Sequence, residues 1–239
     1  MWERAKKAIP GGNGLLSKRP DRYAPDIWPS YFSKSYEVYI EDLEGNRFID
    51  MAQMGIGSAI LGYAHPELTE AVVETLKKGV NCTLNAPEEV LLAEKLLDLN
   101  PFAGGVRFAK TGGEAMAIAI RIARAHTGKD KVLFSGYHGW TDWYLATNIN
   151  NEGGLDEHLL SGLSTKGVPS GLKNTAIPFK YNDISDLQRV LDQHTDAGVI
   201  CIEGARYDYA TDEFLALITD AAKRRNLIIV SDEITSGWR

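Results

Sequence analysis

The chain has 239 residues and a net charge of −6, with 44% hydrophobic and 24% charged residues. That is ordinary globular composition, enough for one large domain or one and a half smaller ones. An acid excess without a basic stripe argues against nucleic acid as a partner, and no apolar run approaches the length of a membrane span.

The first ten residues carry no apolar core of signal-peptide length. Of the two cysteines, Cys82 and Cys201, the second sits inside an apolar run, which reads as a reduced thiol in a cytoplasmic protein. Residues 1–35, with Pro10-Gly11-Gly12, Pro20, Pro25 and Pro29, predict an irregular arm after a short helix. Residues 36–51 alternate around Glu44-Gly45-Asn46, a β-hairpin signal, and 52–65 read as a loop. A helix is expected from Pro66 to Lys78, with Leu68, Ala71, Val72 and Leu76 on one face and Gly79 at its end. A second opens at Pro87, carries Glu88 and Glu89 in its first turn, and stops before Pro101.

From residue 105 strands and helices alternate. Strands are predicted at 106–109, 132–134, 199–202 and 227–230, and helices at 113–127, 183–193 and 212–225. Residues 150–180 read as a long surface excursion. Short strands without polar alternation suit a sheet covered on both faces, so the expected fold class is α/β with an open, mostly parallel sheet. The expected division is an arm and hairpin over 1–60 and a large domain over 61–239.

Ligands bind such sheets beyond the carboxyl ends of the strands. Four clusters fall there: Lys110–Glu114, Ser135–Trp140, Glu203-Gly204 and Ser231–Glu233. Thr111-Gly112-Gly113 before a helix either binds a phosphate on backbone N–H groups or is a plain glycine turn. Tyr137 offers a flat ring for stacking, or packs its loop with Trp143 and Tyr144. His138 is a candidate acid or base, whereas His65, His126, His158 and His194 read as solvated or capping. Asp232, and Glu203 beside it, need partners at the mouth of buried strands: a protonated ring nitrogen, or a salt bridge or helix cap. Arg121 and Arg124 read as a solvated helix face, and Lys223-Arg224-Arg225 as cations at a helix C-terminus. No metal site is assigned.

As an ordered set these segments resemble one family. Thr111-Gly112-Gly113-Glu114-Ala115, Arg121-Ile122-Ala123-Arg124 and Thr127-Gly128-Lys129-Asp130-Lys131 are similar to the Ser-Gly-Thr-Glu-Ala, Arg-Leu-Ala-Arg and Thr-Gly-Arg-Asp-Lys run of class III aminotransferases. Gly136-Tyr137-His138-Gly139 resembles their Tyr-His-Gly element, and Asp232-Glu233-Ile234 with Gly237-Trp238-Arg239 their Asp-Glu-Val-x-x-Gly-Phe-Arg. Ile9-Pro10-Gly11-Gly12 and Leu61–Pro66 resemble the glutamate-1-semialdehyde aminomutase branch.

The resemblance implies a fold-type I enzyme using pyridoxal 5'-phosphate (PLP), a homodimer in its full-length form. A small amino acid or amino-aldehyde would react by Schiff-base exchange and proton transfer at its α-carbon. It implies that Thr111, Gly112 and Gly113 hold the cofactor phosphate, that Tyr137 stacks on the ring with His138 beside it, and that Asp232 pairs with the ring nitrogen with Glu203 nearby. Gly113 stands where the family has a threonine, so a side-chain contact is lost and a backbone donor kept. Residues 13–19 match the aminomutase substrate stretch only loosely. The family's Schiff-base lysine would lie beyond Asp232, and none of the lysines present matches it. The alternatives are a non-catalytic fragment, or an α/β protein for another phosphorylated ligand.

Overall fold

The computed structural model describes all residues except 25–26, 150–153, 157, 159–162, 206–207 and 238–239. Pro25, Trp238, Arg239 and part of the 150–180 stretch thus lie outside the described residues. The chain forms two compact units, Met1–Lys95 and Leu96–Arg239.

The first unit opens with α1 (Trp2–Ala8). It holds an antiparallel sheet in the order β1 (Phe32–Tyr36), β2 (Tyr39–Asp42), β3 (Arg47–Ile49). The expected hairpin is present, with Tyr39 opposite Ile49 and Ile40 opposite Phe48. Its turn is pinned by Asp42, whose carboxylate accepts the N–H groups of Glu44 (3.0 Å) and Asn46 (2.8 Å). Strand β1 falls in the stretch read as an irregular arm, because Phe-Ser-Lys-Ser-Tyr offers little apolar signal. A kinked turn, α2 (Gln53–Ile56), precedes α3 (Pro66–Lys77), and α4 (Pro87–Leu99) follows. Both longer helices start on proline as expected, and neither buries a residue. Leu68, Val72 and Leu76 on α3, and Val90, Leu91 and Leu92 on α4, are exposed.

The second unit carries α5 (Gly112–Thr127), β4 (Val132–Ser135), α6 (Asp142–Leu145), β5 (Ala176–Pro178), α7 (Ile184–Gln193), β6 (Val199–Glu203), α8 (Asp212–Arg225) and β7 (Ile228–Asp232). The sheet runs β5-β4-β6-β7, every pair parallel. Alternate residues of each strand face opposite sides, and here both sides are covered. Leu133, Ile200 and Ile202 pack with Leu187, Leu191, Phe214 and Ile218 of α7 and α8. Val132, Phe134, Val199 and Cys201 pack with Met116, Ile120 and Ala123 of α5 and with Trp143 and Tyr144 of α6. That explains why β4 is apolar up to Ser135 and β6 up to Glu203, with no exposed face to alternate against.

Two expectations are corrected. Val106–Ala109 pairs with no described strand; a short apolar run becomes a strand only when a neighbouring backbone completes its ladder. The 150–180 stretch is not wholly a surface excursion. It contributes the edge strand β5, too short and proline-ended to read from sequence, and it buries Leu155 and His158.

Ile200, fully buried in the central strand β6, gives a direct test of this packing. Ile200→Ala is expected to lower unfolding free energy by about 2–5 kcal/mol, measured by urea denaturation of the full chain.

Candidate functional site

The site lies at the carboxyl edge of the parallel sheet. Helix α5 begins there with a strong local stop. Thr111 is its N-cap, accepting the Glu114 N–H at 3.2 Å, while the Glu114 carboxylate accepts the Lys110 N–H at 2.7 Å. This is a capping box shifted by one residue. The N–H groups of Gly112 and Gly113 sit in the first turn, where the helix itself supplies no acceptor, and the positive end of the helix dipole adds to their pull on an anion. The Thr111 hydroxyl, having accepted one bond, can still donate its own hydrogen.

Two segments converge on this turn. A Cβ at Gly112 would meet the Ile234 Cδ1 at 3.9 Å, placing the turn beside the segment that leaves β7. A Cβ at Gly139 would meet the Gly113 Cα at 2.8 Å, so the loop after β4 lies directly on it. A Cβ at Gly113 itself would have only ordinary contacts, with Thr141 at 3.7 Å and Gly139 at 3.8 Å. The tight requirement therefore falls on Gly139, with φ of +92°, and not on the family's threonine position. The Thr111–Gly113 turn and the segment that leaves β7 after Asp232 share one edge.

Asp232 ends β7, opposite Glu203 at the end of β6. Its Oδ2 lies 2.9 Å from His138 Nδ1, and its Oδ1 accepts the Ile234 N–H at 3.1 Å. His138 Nε2 faces the Ser135 carbonyl at 3.1 Å. A carbonyl can only accept, so Nε2 carries hydrogen, and one more hydrogen is held between Nδ1 and Oδ2. The imidazole is 1% exposed and lies roughly parallel to the Trp143 ring, with centroids 6.1 Å apart and an interplanar angle of 24°. With both nitrogens committed, His138 has no open edge for a ligand; its geometry fixes the carboxylate. Asp232 still has acceptor capacity, since two of about four lone-pair positions are used.

Glu203 is likewise buried, and its Oε1 accepts the Tyr137 N–H at 2.6 Å. A Cβ at Gly136 would fall 2.7 Å from that oxygen, and Gly136 takes φ of +116°. Only glycine fits between strand end and loop at that point. The Tyr137 ring is half-buried, packed edge-on to Tyr144 at 5.7 Å, and burial pushes its phenol pKa upward. Trp140 is largely exposed.

Sequence reasoning missed several contributors. His158, read as solvated or capping, is buried; its Nδ1 accepts the Gly136 N–H at 3.3 Å. Arg124, read as solvated, is half-buried. It donates to the carbonyls of Asp130 (2.7 Å) and Thr175 (3.4 Å), and burial lowers its pKa. The bond to Asp130 ties the end of α5 to the approach of β4. Arg225 of α8 does similar work, donating to the Leu191 carbonyl and to Asp192 at 3.0 Å. No spacing rule announces these bonds, because all but the one from Arg124 to Asp130 join segments more than twenty residues apart.

Two outcomes test this geometry. Gly139→Ala is expected to destabilise the chain by about 1–3 kcal/mol, the range for imposed backbone strain. Gly171→Ala, with nothing within 4 Å of its added carbon, stays near wild type in the same denaturation assay. For Cys201, burial first, then the Asp232 and Glu203 carboxylates, push the thiol pKa well up. Iodoacetamide is therefore expected to label exposed Cys82 and to spare Cys201 until the chain unfolds, as read by mass spectrometry.

The family model described as aminotransferase class-III matches residues 23–238. The whole chain aligns with a 3-aminobutyryl-CoA aminotransferase of Cloacimonas acidaminovorans at 31% identity and a glutamate-1-semialdehyde 2,1-aminomutase of Sulfurisphaera tokodaii at 32%. It spans 55% and 56% of those relatives, about half their length. Among solved structures, an omega-transaminase from Sphaerobacter thermophilus superposes over 98% of this chain and 54% of its own, with TM-score 0.82 and 27% identity. A glutamate-1-semialdehyde aminomutase from Pseudomonas aeruginosa, at 17% identity and TM-score 0.74, covers 98% of this chain and 51% of its own, and shares the fold. The chain belongs to the class III aminotransferase family.

Proposed function

We propose that this chain forms the cofactor-gripping part of a PLP-dependent enzyme that moves amino groups on a small amino acid or amino-aldehyde. The observation that carries the reading is the shared edge. A helix N-terminus suited to a phosphate, an aromatic side chain and a braced carboxylate meet in one unit, linked through Gly112 to Ile234 and Gly113 to Gly139.

The residues fit the cofactor at each end. The N–H groups of Gly112 and Gly113, with the Thr111 hydroxyl, would hold the phosphate. Tyr137 would lie against the ring face. Asp232, still able to accept, would take the hydrogen of the ring nitrogen. His138 and Glu203 support from behind, one orienting Asp232 and the other the Tyr137 backbone. When bound, PLP supplies an electron sink that eases loss of a proton from the substrate α-carbon; an oriented Asp232 acceptor is this chain's contribution to that property. No lysine of the 239 residues is assigned to carry the cofactor.

Within this reading the full-length protein is a homodimer. The open apolar faces of α3 and α4 are the kind of surface that another subunit covers. Domain organisation follows the same reading, with residues 61–239 contributing to the large cofactor domain. Relatives of both activities match the chain at 31–32% identity, so an intramolecular amino shift and a two-substrate transamination are equally accommodated. A two-substrate enzyme consumes an amine donor such as glutamate, and an aminomutase leaves it untouched.

Titration of the full chain with PLP, followed by cofactor absorbance, tests the reading. Saturable binding is expected, and Asp232→Asn weakens it roughly tenfold to hundredfold, the loss of one charge-assisted hydrogen bond. Pyridoxal without the phosphate binds much more weakly. Equal affinity for PLP and pyridoxal would refute the assignment of Thr111–Gly113.

A further inference from the structure

The loop that carries Tyr137 is held by side chains, not by secondary structure. Three successive main-chain groups are each bonded to a different element. The Gly136 N–H donates to His158 Nδ1 at 3.3 Å, the Gly136 carbonyl accepts from the Tyr144 hydroxyl at 3.1 Å, and the Tyr137 N–H donates to Glu203 at 2.6 Å. His158 comes from the segment between α6 and β5, and it is seated there by its own scaffold. Leu155 is fully buried in the core beside Phe134 and Trp143. Its N–H donates to Asn148 Oδ1 at 3.0 Å, and the His158 N–H closes the turn onto the Leu155 carbonyl at 2.9 Å. The imidazole lies 5.4 Å from the Phe134 ring and is 5% exposed.

We infer that His158 is a positioning residue of the site, holding Gly136 through a bare Nδ1 so that Tyr137 presents its ring to the cofactor. The inference rests on the proposed role of Tyr137. An N–H can only donate, so Nδ1 must be without hydrogen for this bond to exist. A second proton on the ring would put N–H against N–H and release Gly136. Protonation of Nδ1 therefore breaks the grip. Other titratable groups surround the loop: His138 within it, Tyr144 on α6, Glu203 on β6, Asp232 on β7, and Asp156 on the turn of His158. The wild-type profile alone would mix their contributions.

Two variants separate them. His158→Asn puts a carbonyl oxygen where Nδ1 stands, an acceptor that does not titrate. His158→Phe keeps the ring volume and removes the acceptor. In the full chain without cofactor, Gly136 amide exchange is expected to be about tenfold faster in His158→Phe, as for loss of one hydrogen bond, and near wild type in His158→Asn. With cofactor, PLP affinity in His158→Phe is about tenfold weaker at every pH. The wild type weakens on acidification more steeply than His158→Asn. Wild-type exchange at Gly136 in His158→Phe, or superimposable pH profiles for wild type and His158→Asn, would overturn the inference. Should the wild-type chain bind no PLP, the cofactor reading fails, and the exchange measurement still decides whether His158 holds Gly136. If His158→Phe does not fold, His158→Asn decides through its exchange rate and pH profile.

Discussion

The site depends on one carboxylate. Asp232 stands at the end of β7 with its side chain 10% exposed, where an unpaired charge would be costly. Its neighbour across the ladder is a second acid, Glu203, which makes the requirement for partners more severe. The fold meets it with hydrogen-bond donors from three directions: His138 to Asp232 Oδ2, the Ile234 N–H to Oδ1, and the Tyr137 N–H to Glu203. Two of those donors belong to the same loop. Whatever orients His138 toward Asp232 therefore also orients Tyr137, and the proposed stacking surface and ring-nitrogen acceptor are set together.

This coupling explains the glycines. Gly136 must leave room for Glu203, and Gly139 must let the loop rest on Gly113. A side chain at either would separate the loop from the Thr111–Gly113 turn or from the strand ends. The chain thus uses glycine at two close approaches to join three segments into one edge. The sheet beneath supplies rigidity through its two covered faces. Loop residues held on such a scaffold keep the fixed geometry that ligand recognition needs.

Much of this was legible in the sequence, for physical reasons. The strands β4 and β6 are apolar up to their last residue because both faces are buried, and the clusters after the strands mark the carboxyl edge where ligands collect. The ordered motifs from Thr111 to Asp232 named the family. Pairing was not legible. Val106–Ala109 has strand composition but no described partner strand, and β5 is only three residues of a segment dominated by turn formers. Nor were the supporting bonds. His158 sits in a polar stretch and reads as solvated; only the burial of Leu155 three residues earlier brings it to Gly136. His138 reads as a candidate acid or base, yet its surroundings commit both nitrogens.

The most direct test concerns the ring nitrogen that Asp232 is proposed to meet. The full chain loaded with PLP carrying 15N at the pyridine position gives that nitrogen's protonation state by NMR. A protonated nitrogen, lost in Asp232→Ala, is the expected result. An unprotonated signal in the wild type, or a protonated one that survives Asp232→Ala, would contradict the account.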